Sequence, residues 1–153
     1  MQLNSSDIEN NKPIQDKFSR YHENKKPTFT WSSVPSEAVE LVLLCYDPIK
    51  HPKTKKVIKT WLHWVVSNID PLSKSLTDCK YTEGTNDFKE IGYGGPQPPP
   101  KQGVHEYHFK LYALKKKSGL TTSYVDFNQL DKLLNNKDNF VCSAEIIGTY
   151  VRN

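Results

Sequence analysis

The alternation of polar and apolar residues from Val104 to Leu114 limits the fold more than any other pattern in the chain. In an extended strand, successive side chains point to opposite faces. One face would carry His105, Tyr107, Phe109, Leu111 and Ala113, and the other Glu106, His108 and Lys110. The pattern therefore predicts a half-buried β-strand whose polar end lies at its start.

Further strand-like segments surround this one. Ala38 to Tyr46 is a nearly continuous apolar run, typical of a strand that is buried on both faces, and Trp61 to Ile69 is similar. Phe29 and Trp31 alternate in a shorter segment, and Val141 to Val151 predicts a last strand. We expect an antiparallel β-sandwich of two packed sheets.

One helix is predicted near Asp126 to Asn135. Its apolar residues recur at helical spacing, and either Ser123 or Asp126 could cap its start. The apolar positions are Phe127, Leu130, Leu133 and Leu134. Residues 1 to about 27 are expected to form surface loops apart from a strand near Met1 to Leu3. The whole chain, residues 1–153, is predicted to be a single mainly β domain with one or two short peripheral helices.

The composition excludes several classes of protein. The net charge of +4 comes from 21 basic and 17 acidic residues, which is too mild to indicate a nucleic-acid partner. No uncharged run approaches the roughly 18 residues of a membrane span, and the start of the chain has no basic or apolar signal segment. We therefore expect a cytoplasmic protein. The odd count of three cysteines indicates no disulfide framework.

Glycine and proline residues from Gly92 to Pro100 predict the wall of a small anion pocket. Glycines allow backbone N–H groups to point at a ligand, and prolines restrict the loop. The N–H groups of Gly94 and Gly95 are the expected donors, with Pro99 in the same wall. His105 and Tyr107 follow closely and share one strand face, so their polar rings would lie beside this wall.

Two segments upstream carry further motifs that accompany the glycine and proline segment and the His105–Tyr107 segment. The first apolar strand ends at Asp47-Pro48, and the second contains Trp61-Leu62-His63. Together, in this order, these motifs resemble the phosphatidylethanolamine-binding protein family, most closely its bacterial branch, which is often called Raf kinase inhibitor-like. The resemblance extends from about Pro27 to Arg152.

The resemblance implies a non-catalytic binding protein without a cofactor or metal. Its expected ligand is a small oxyanion or phosphorylated group, such as phosphate or phosphoethanolamine. Phosphoproteins such as kinases, or membrane head groups, would be the partners, and a homodimer is expected. By this resemblance, His63 and His105 donate to the anion beside the Tyr107 phenol, while Asp47, Pro48 and Trp61 complete the site. A carboxylate close to a histidine raises its pKa, so charged imidazoles are expected in the pocket.

Some features depart from the family pattern or leave alternatives open. The turn after Asp47 lacks the usual second carboxylate, and Glu106 stands where the family usually has arginine.

Five lysines between Lys50 and Lys59 could rim the pocket and steer anions, or simply form a solvated loop. The alternative function is a hydrolase or protease inhibitor that uses the Asp/His/Tyr pocket, although no serine or cysteine lies within the motifs. No metal-binding motif is present.

Overall fold

Four long strands form the centre of the protein. The computed structural model describes residues 1–153. The long strands are β4 (Glu40–Lys50), β5 (Val57–Ile69), β7 (His105–Leu114) and β8 (Phe140–Tyr150). The short strands are β1 (Gln2–Asn4), β2 (Lys12–Pro13), β3 (Thr30–Ser32) and β6 (Thr82–Glu83), and α1 is Phe127–Leu134.

The strands form two sheets. The large sheet has the order β2-β8-β7-β4-β5-β6, and β1 pairs with β3 in a separate two-stranded sheet. All pairings are antiparallel except that between β2 and β8. The predicted mainly β fold of two sheets is confirmed, with α1 as its α-helix and Asp16–Phe18 as a short 3₁₀ turn.

The large sheet is buried on both faces. One face packs with β1, β3 and the N-terminal segment into a core that includes Phe29, Trp64 and Phe109. The other face packs under α1 in a smaller core with Leu130 and Leu134. This explains why β4, at the centre of the sheet, is apolar on both faces. The predicted alternation in β7 is also confirmed, because Tyr107, Phe109, Leu111 and Ala113 all belong to the larger core.

The helix begins as the sequence predicts. Asp126 is the cap: its carboxylate accepts a hydrogen bond from the backbone N–H of Gln129, and the Gln129 side chain accepts one from the N–H of Asp126. This reciprocal arrangement is a capping box. At eight residues, α1 is too short to cross a bilayer.

The N-terminal segment differs from the expectation of surface loops. Ile8, Ile14 and Phe18 are buried in the larger core, and β2 adds a parallel strand to the edge of β8. Isolated apolar residues in a polar segment give no periodicity, so the sequence pattern did not reveal them. This segment matters for the site because it packs against the pocket wall.

Candidate functional site

Three neighbouring strands bring the predicted site residues to one edge of the large sheet. β4 lies between β5 and β7 and is antiparallel to both. The end of β4 therefore meets the starts of β5 and β7. Asp47 lies directly opposite Trp61 in the β4–β5 register, and His105 begins β7.

A cavity of about 270 Å³ opens at this edge. Its walls include six residues that the sequence analysis proposed: Asp47, Trp61, His63, Pro99, His105 and Tyr107. Five others were not proposed as ligand contacts: Ile49, Phe88, Gln97, Pro98 and Gln102. Phe88 and Gln97 lie within the segments singled out as the wall, but the sequence does not indicate which way their side chains point. The cavity is at the small end of the range for ligand sites, which favours a compact group.

Asp47 and His105 form the polar pair at the base of the cavity. Nδ1 of His105 lies 2.7 Å from Oδ2 of Asp47, and both side chains are largely buried. When Nδ1–H donates to the carboxylate, Nε2 is the ring nitrogen left for a ligand. The second carboxylate oxygen, Oδ1 of Asp47, is buried and has no hydrogen-bond partner.

His63 differs from the sequence-based expectation. Its Nδ1 lies 2.6 Å from the carbonyl oxygen of Gly94, not from a carboxylate. Because His63 is only 3% exposed, burial lowers its pKa, and this effect outweighs the hydrogen bond to Gly94 and the attraction of Asp47. The expectation of a raised histidine pKa is therefore wrong for His63. A carbonyl can only accept, so Nδ1 carries the proton, and Nε2 of the neutral ring is a hydrogen-bond acceptor.

Aromatic rings line the remaining walls. The centroid of the His63 ring is 5.1 Å from that of Tyr107 and 5.4 Å from that of Phe88, both in edge-to-face contact. Trp61 packs against Phe88 at 5.5 Å, and its indole Nε1 is buried without a hydrogen-bond partner. Burial raises the pKa of Tyr107 far above its usual range, so the phenol keeps its proton. The walls of the cavity therefore include Trp61, whose indole N–H has no hydrogen-bond partner, and a phenol that keeps its proton.

The glycine and proline wall has a different role from the one predicted. Gly94 N–H donates to the carbonyl of His63, and Gly95 N–H donates to Oδ1 of Asn24. Neither amide is free for an anion, and neither glycine lines the cavity. Pro48 faces an adjoining groove of about 780 Å³ instead.

The N-terminal segment holds this wall in place. The Tyr21 hydroxyl donates to the carbonyl of Pro98, and the Ser19 hydroxyl donates to that of Pro96. From the other side, the Tyr93 hydroxyl donates to the carbonyl of Phe18. These contacts join residues more than 70 positions apart in sequence, so motif spacing could not predict them.

The lysine-rich turn between β4 and β5 borders the adjoining groove. Lys50 pairs with Glu106 at 3.0 Å, and Glu106 lines the adjoining groove but not the cavity. Lys53, Lys55, Lys56 and Lys59 are exposed and have no carboxylate partner. No group of three or more His, Cys, Asp or Glu side chains is arranged to hold a metal ion.

Comparison with known proteins agrees with this β-sandwich architecture. The family model for phosphatidylethanolamine-binding protein matches residues 4–151. The chain belongs to this family. A UPF0098 protein of Methanothermobacter thermautotrophicus is 33% identical over 148 residues, which cover 91% of each chain.

Two solved bacterial structures are similar over almost their full length. The phosphatidylethanolamine-binding protein homologue CT736 of Chlamydia trachomatis has 31% identity and a TM-score of 0.81, covering 99% of this chain and 97% of that one. E. coli YbcL, described as a member of the mammalian PEBP family, has 27% identity and a TM-score of 0.83, with 99% and 98% covered. These matches support the bacterial resemblance seen in the sequence.

The lowered pKa of His63 predicts a specific dependence of stability on pH. The unfolded chain binds a proton at His63 below about pH 6.5, the ordinary histidine value, whereas the folded protein resists that proton. The contribution of His63 to stability is therefore full above pH 6.5 and is lost as the pH falls through the folded pKa. Urea unfolding between about pH 7.5 and 5.5 should show a flatter stability profile for His63→Gln than for wild type.

The control for this experiment is His22→Gln, because His22 is an exposed histidine. The free energy of unfolding of this variant should depend on pH as that of wild type does. If the free energy of unfolding depended on pH equally in wild type and His63→Gln, the lowered pKa of His63 would be contradicted.

Proposed function

We propose that this protein is a non-catalytic receptor for a compact oxyanion, such as the phosphate of a lipid head group or of a phosphorylated partner. The observation that carries the proposal is the buried indole N–H of Trp61, which has no acceptor within the protein. A buried donor without a partner is costly, and an oxyanion in the cavity would supply one.

The remaining polar groups are compatible with this ligand. The Tyr107 hydroxyl could donate alongside Trp61, and Nε2 of His105 would donate when both of its ring nitrogens carry a proton, with Asp47 orienting the ring and offsetting its positive charge. The neutral His63 ring offers the lone pair of Nε2. It can accept a hydrogen bond from an anion that carries a proton, or it can take up a proton when the anion binds and then donate to it. Both cases couple binding to proton uptake, and affinity should increase as the pH falls from about 8 to 6.

Calorimetric titration with phosphate, phosphoethanolamine and ethanolamine tests the proposal. The two phosphate compounds should bind, more tightly at the lower pH, and ethanolamine should not. Trp61→Phe keeps the aromatic wall but removes the indole N–H, and it should weaken phosphate binding about tenfold. Equal affinity for ethanolamine and phosphoethanolamine, or an unaffected Trp61→Phe variant, would contradict the proposal.

The same proposal excludes turnover. Phosphate esters, acyl esters and peptides should remain intact after long incubation with stoichiometric protein. Hydrolysis that disappears in the Asp47→Asn and His63→Ala variants would establish the alternative, a hydrolase that uses the same pocket.

We further propose that Lys53, Lys55 and Lys56 accelerate encounter with anionic partners. All three are exposed and lack a carboxylate partner, and Lys55 lines the groove that adjoins the pocket. Charges at a rim act mainly on the association rate and are screened by salt. Changing the three lysines to glutamine should slow association with vesicles of anionic lipid and flatten its salt dependence. An unchanged association rate and salt dependence would mean that the turn does not steer.

The cellular partners follow from the same proposal. A cytoplasmic receptor for phosphate groups would recognise phosphoproteins, including components of kinase signalling, or membrane head groups. The homodimer suggested by the family resemblance is part of this proposal, and light scattering of the purified protein measures it directly.

A further inference from the structure

The start of β5 leaves one edge of the large sheet open. Val57, Ile58, Lys59, Thr60 and Trp61 form one wall of a groove of about 560 Å³, which is separated from the oxyanion pocket by the Trp61 ring. The short strand β6 covers β5 only at Val66 and Ser67. Loop residues extend this cover as far as Leu62. The Asp87 carboxylate accepts a hydrogen bond from the Leu62 N–H at 2.7 Å, and the backbone N–H of Asp87 donates to the Leu62 carbonyl at 2.8 Å.

The backbone of Thr60 points into this groove. Leu62 directs both its N–H and its carbonyl away from β4, and the groups of alternate residues in a strand point the same way. Thr60 lies opposite Pro48, which has no N–H to offer. The N–H and carbonyl of Thr60 therefore form an unpaired donor and acceptor on an open strand edge, the feature that templates the addition of another strand.

The groove is lined by two lysines and two carboxylates, and only the lysine side chains lack a hydrogen-bonding or ionic partner within the protein. Both carboxylates that line it are already engaged, since Asp87 accepts from Leu62 and from the Tyr124 hydroxyl, and Asp126 caps α1. Lys59 lies over the Trp61 ring at 4.9 Å and Lys89 over the Tyr124 ring at 3.8 Å. Neither lysine has a carboxylate partner.

We propose that this edge binds an extended acidic segment of a partner protein by strand addition. The segment would pair with the backbone of Thr60, and its acidic side chains would reach Lys59 and Lys89. Backbone hydrogen bonds supply affinity in this mode of recognition, and side-chain contacts supply specificity. The site is separate from the oxyanion pocket, although both use Trp61 as a wall.

The charge pattern disfavours a second copy of this chain as the occupant. A symmetric edge-to-edge pair places the same surface on both sides. Lys55, Lys56 and Lys59 would then lie near their own copies, and like charges across paired strands are destabilising. An acidic partner meets the same lysines with the opposite charge.

A capped hexapeptide of alternating glutamate and valine is a suitable probe, with a lysine–valine hexapeptide as its charge-reversed control. In two-dimensional ¹H–¹⁵N NMR spectra, the acidic peptide should shift the amide signals of Val57 to Trp61 saturably. The basic peptide should bind about tenfold more weakly or not at all.

Paired variants separate the backbone and charge contributions. Thr60→Pro removes the outward N–H without removing a bond to β4, and it should weaken the acidic peptide about tenfold or more, whereas Thr60→Val should bind normally. The double variant Lys59→Glu/Lys89→Glu should prefer the basic peptide. Its control, Lys115→Glu/Lys117→Glu, changes exposed lysines beyond the end of β7 and should behave as wild type. His105→Ala, which alters the pocket, should still bind the peptide.

Three results would overturn this proposal. One is the absence of a saturable shift of the amide signals at millimolar concentrations of the acidic peptide. Another is equal affinity of the protein for the acidic and basic peptides, or equal affinity of Thr60→Pro and Thr60→Val for the acidic peptide. The third is a dimer in sedimentation that Thr60→Pro dissociates, since a second copy would then occupy the edge.

Discussion

Substituting Gly95 with alanine should lower the free energy of unfolding by about 3 kcal/mol or more and deform the pocket wall. A Cβ atom at this position would lie 1.9 Å from the carbonyl oxygen of Phe18 and 2.9 Å from Oδ1 of Asn24. The first of these atoms belongs to the backbone, so it cannot turn aside as a flexible side chain could. The N-terminal segment would have to move off the wall that contains Pro98 and Pro99.

Gly103→Ala is the control for this substitution. A Cβ at Gly103 meets no atom within 4 Å, so the variant carries only the strain of its positive φ of 76°, about 1 kcal/mol. Chemical denaturation of both variants measures the difference. If Gly95→Ala were no less stable than Gly103→Ala, the packing of residues Phe18 to Asn24 on the wall would be contradicted.

Replacing either pocket histidine with alanine should weaken phosphate binding about 10- to 100-fold, because hydrogen bonds to charged groups contribute about 1.5–3 kcal/mol. His105→Ala also leaves the buried Asp47 carboxylate without its partner. His63→Ala removes the ring that offers Nε2 to the cavity. Calorimetric titration at about pH 6 measures each affinity, and the NMR spectrum of each variant shows whether the fold is retained.

His108→Ala is the matched control, because His108 lies on the opposite face of the same strand, beside Glu145. It should bind phosphate like wild type. If the three histidine variants all bound phosphate as tightly as wild type, the cavity would not be the oxyanion site.

Short-range sequence patterns predicted most of the fold. The period of two in β7 indicated which face is buried, and the helical spacing after Asp126 predicted α1 with its cap. Asp47, His63 and His105 could be placed near one another because they resemble a family motif. Their separate strands are far apart in the chain, so spacing alone would not have joined them.

Long-range packing determined what the sequence could not predict. Gly95 is a glycine because the backbone of Phe18 approaches it, whereas the sequence suggested that its N–H faces a ligand. The pKa of His63 falls because the surrounding core excludes water, and burial of this kind depends on every element around the ring. The open edge at Thr60 likewise depends on where β6 stops.

The most direct test of the account is to observe the two pocket imidazoles while phosphate binds. Long-range ¹H–¹⁵N NMR of the histidine rings reports the protonation and hydrogen bonding of each ring nitrogen. Without phosphate at about pH 7, His63 should show a neutral ring with its proton on Nδ1. Saturating phosphate should shift the Nε2 signals of both His63 and His105, with one common dissociation constant, and leave His108 unchanged. Ring signals of His63 and His105 that do not respond to phosphate would contradict an oxyanion receptor at this site.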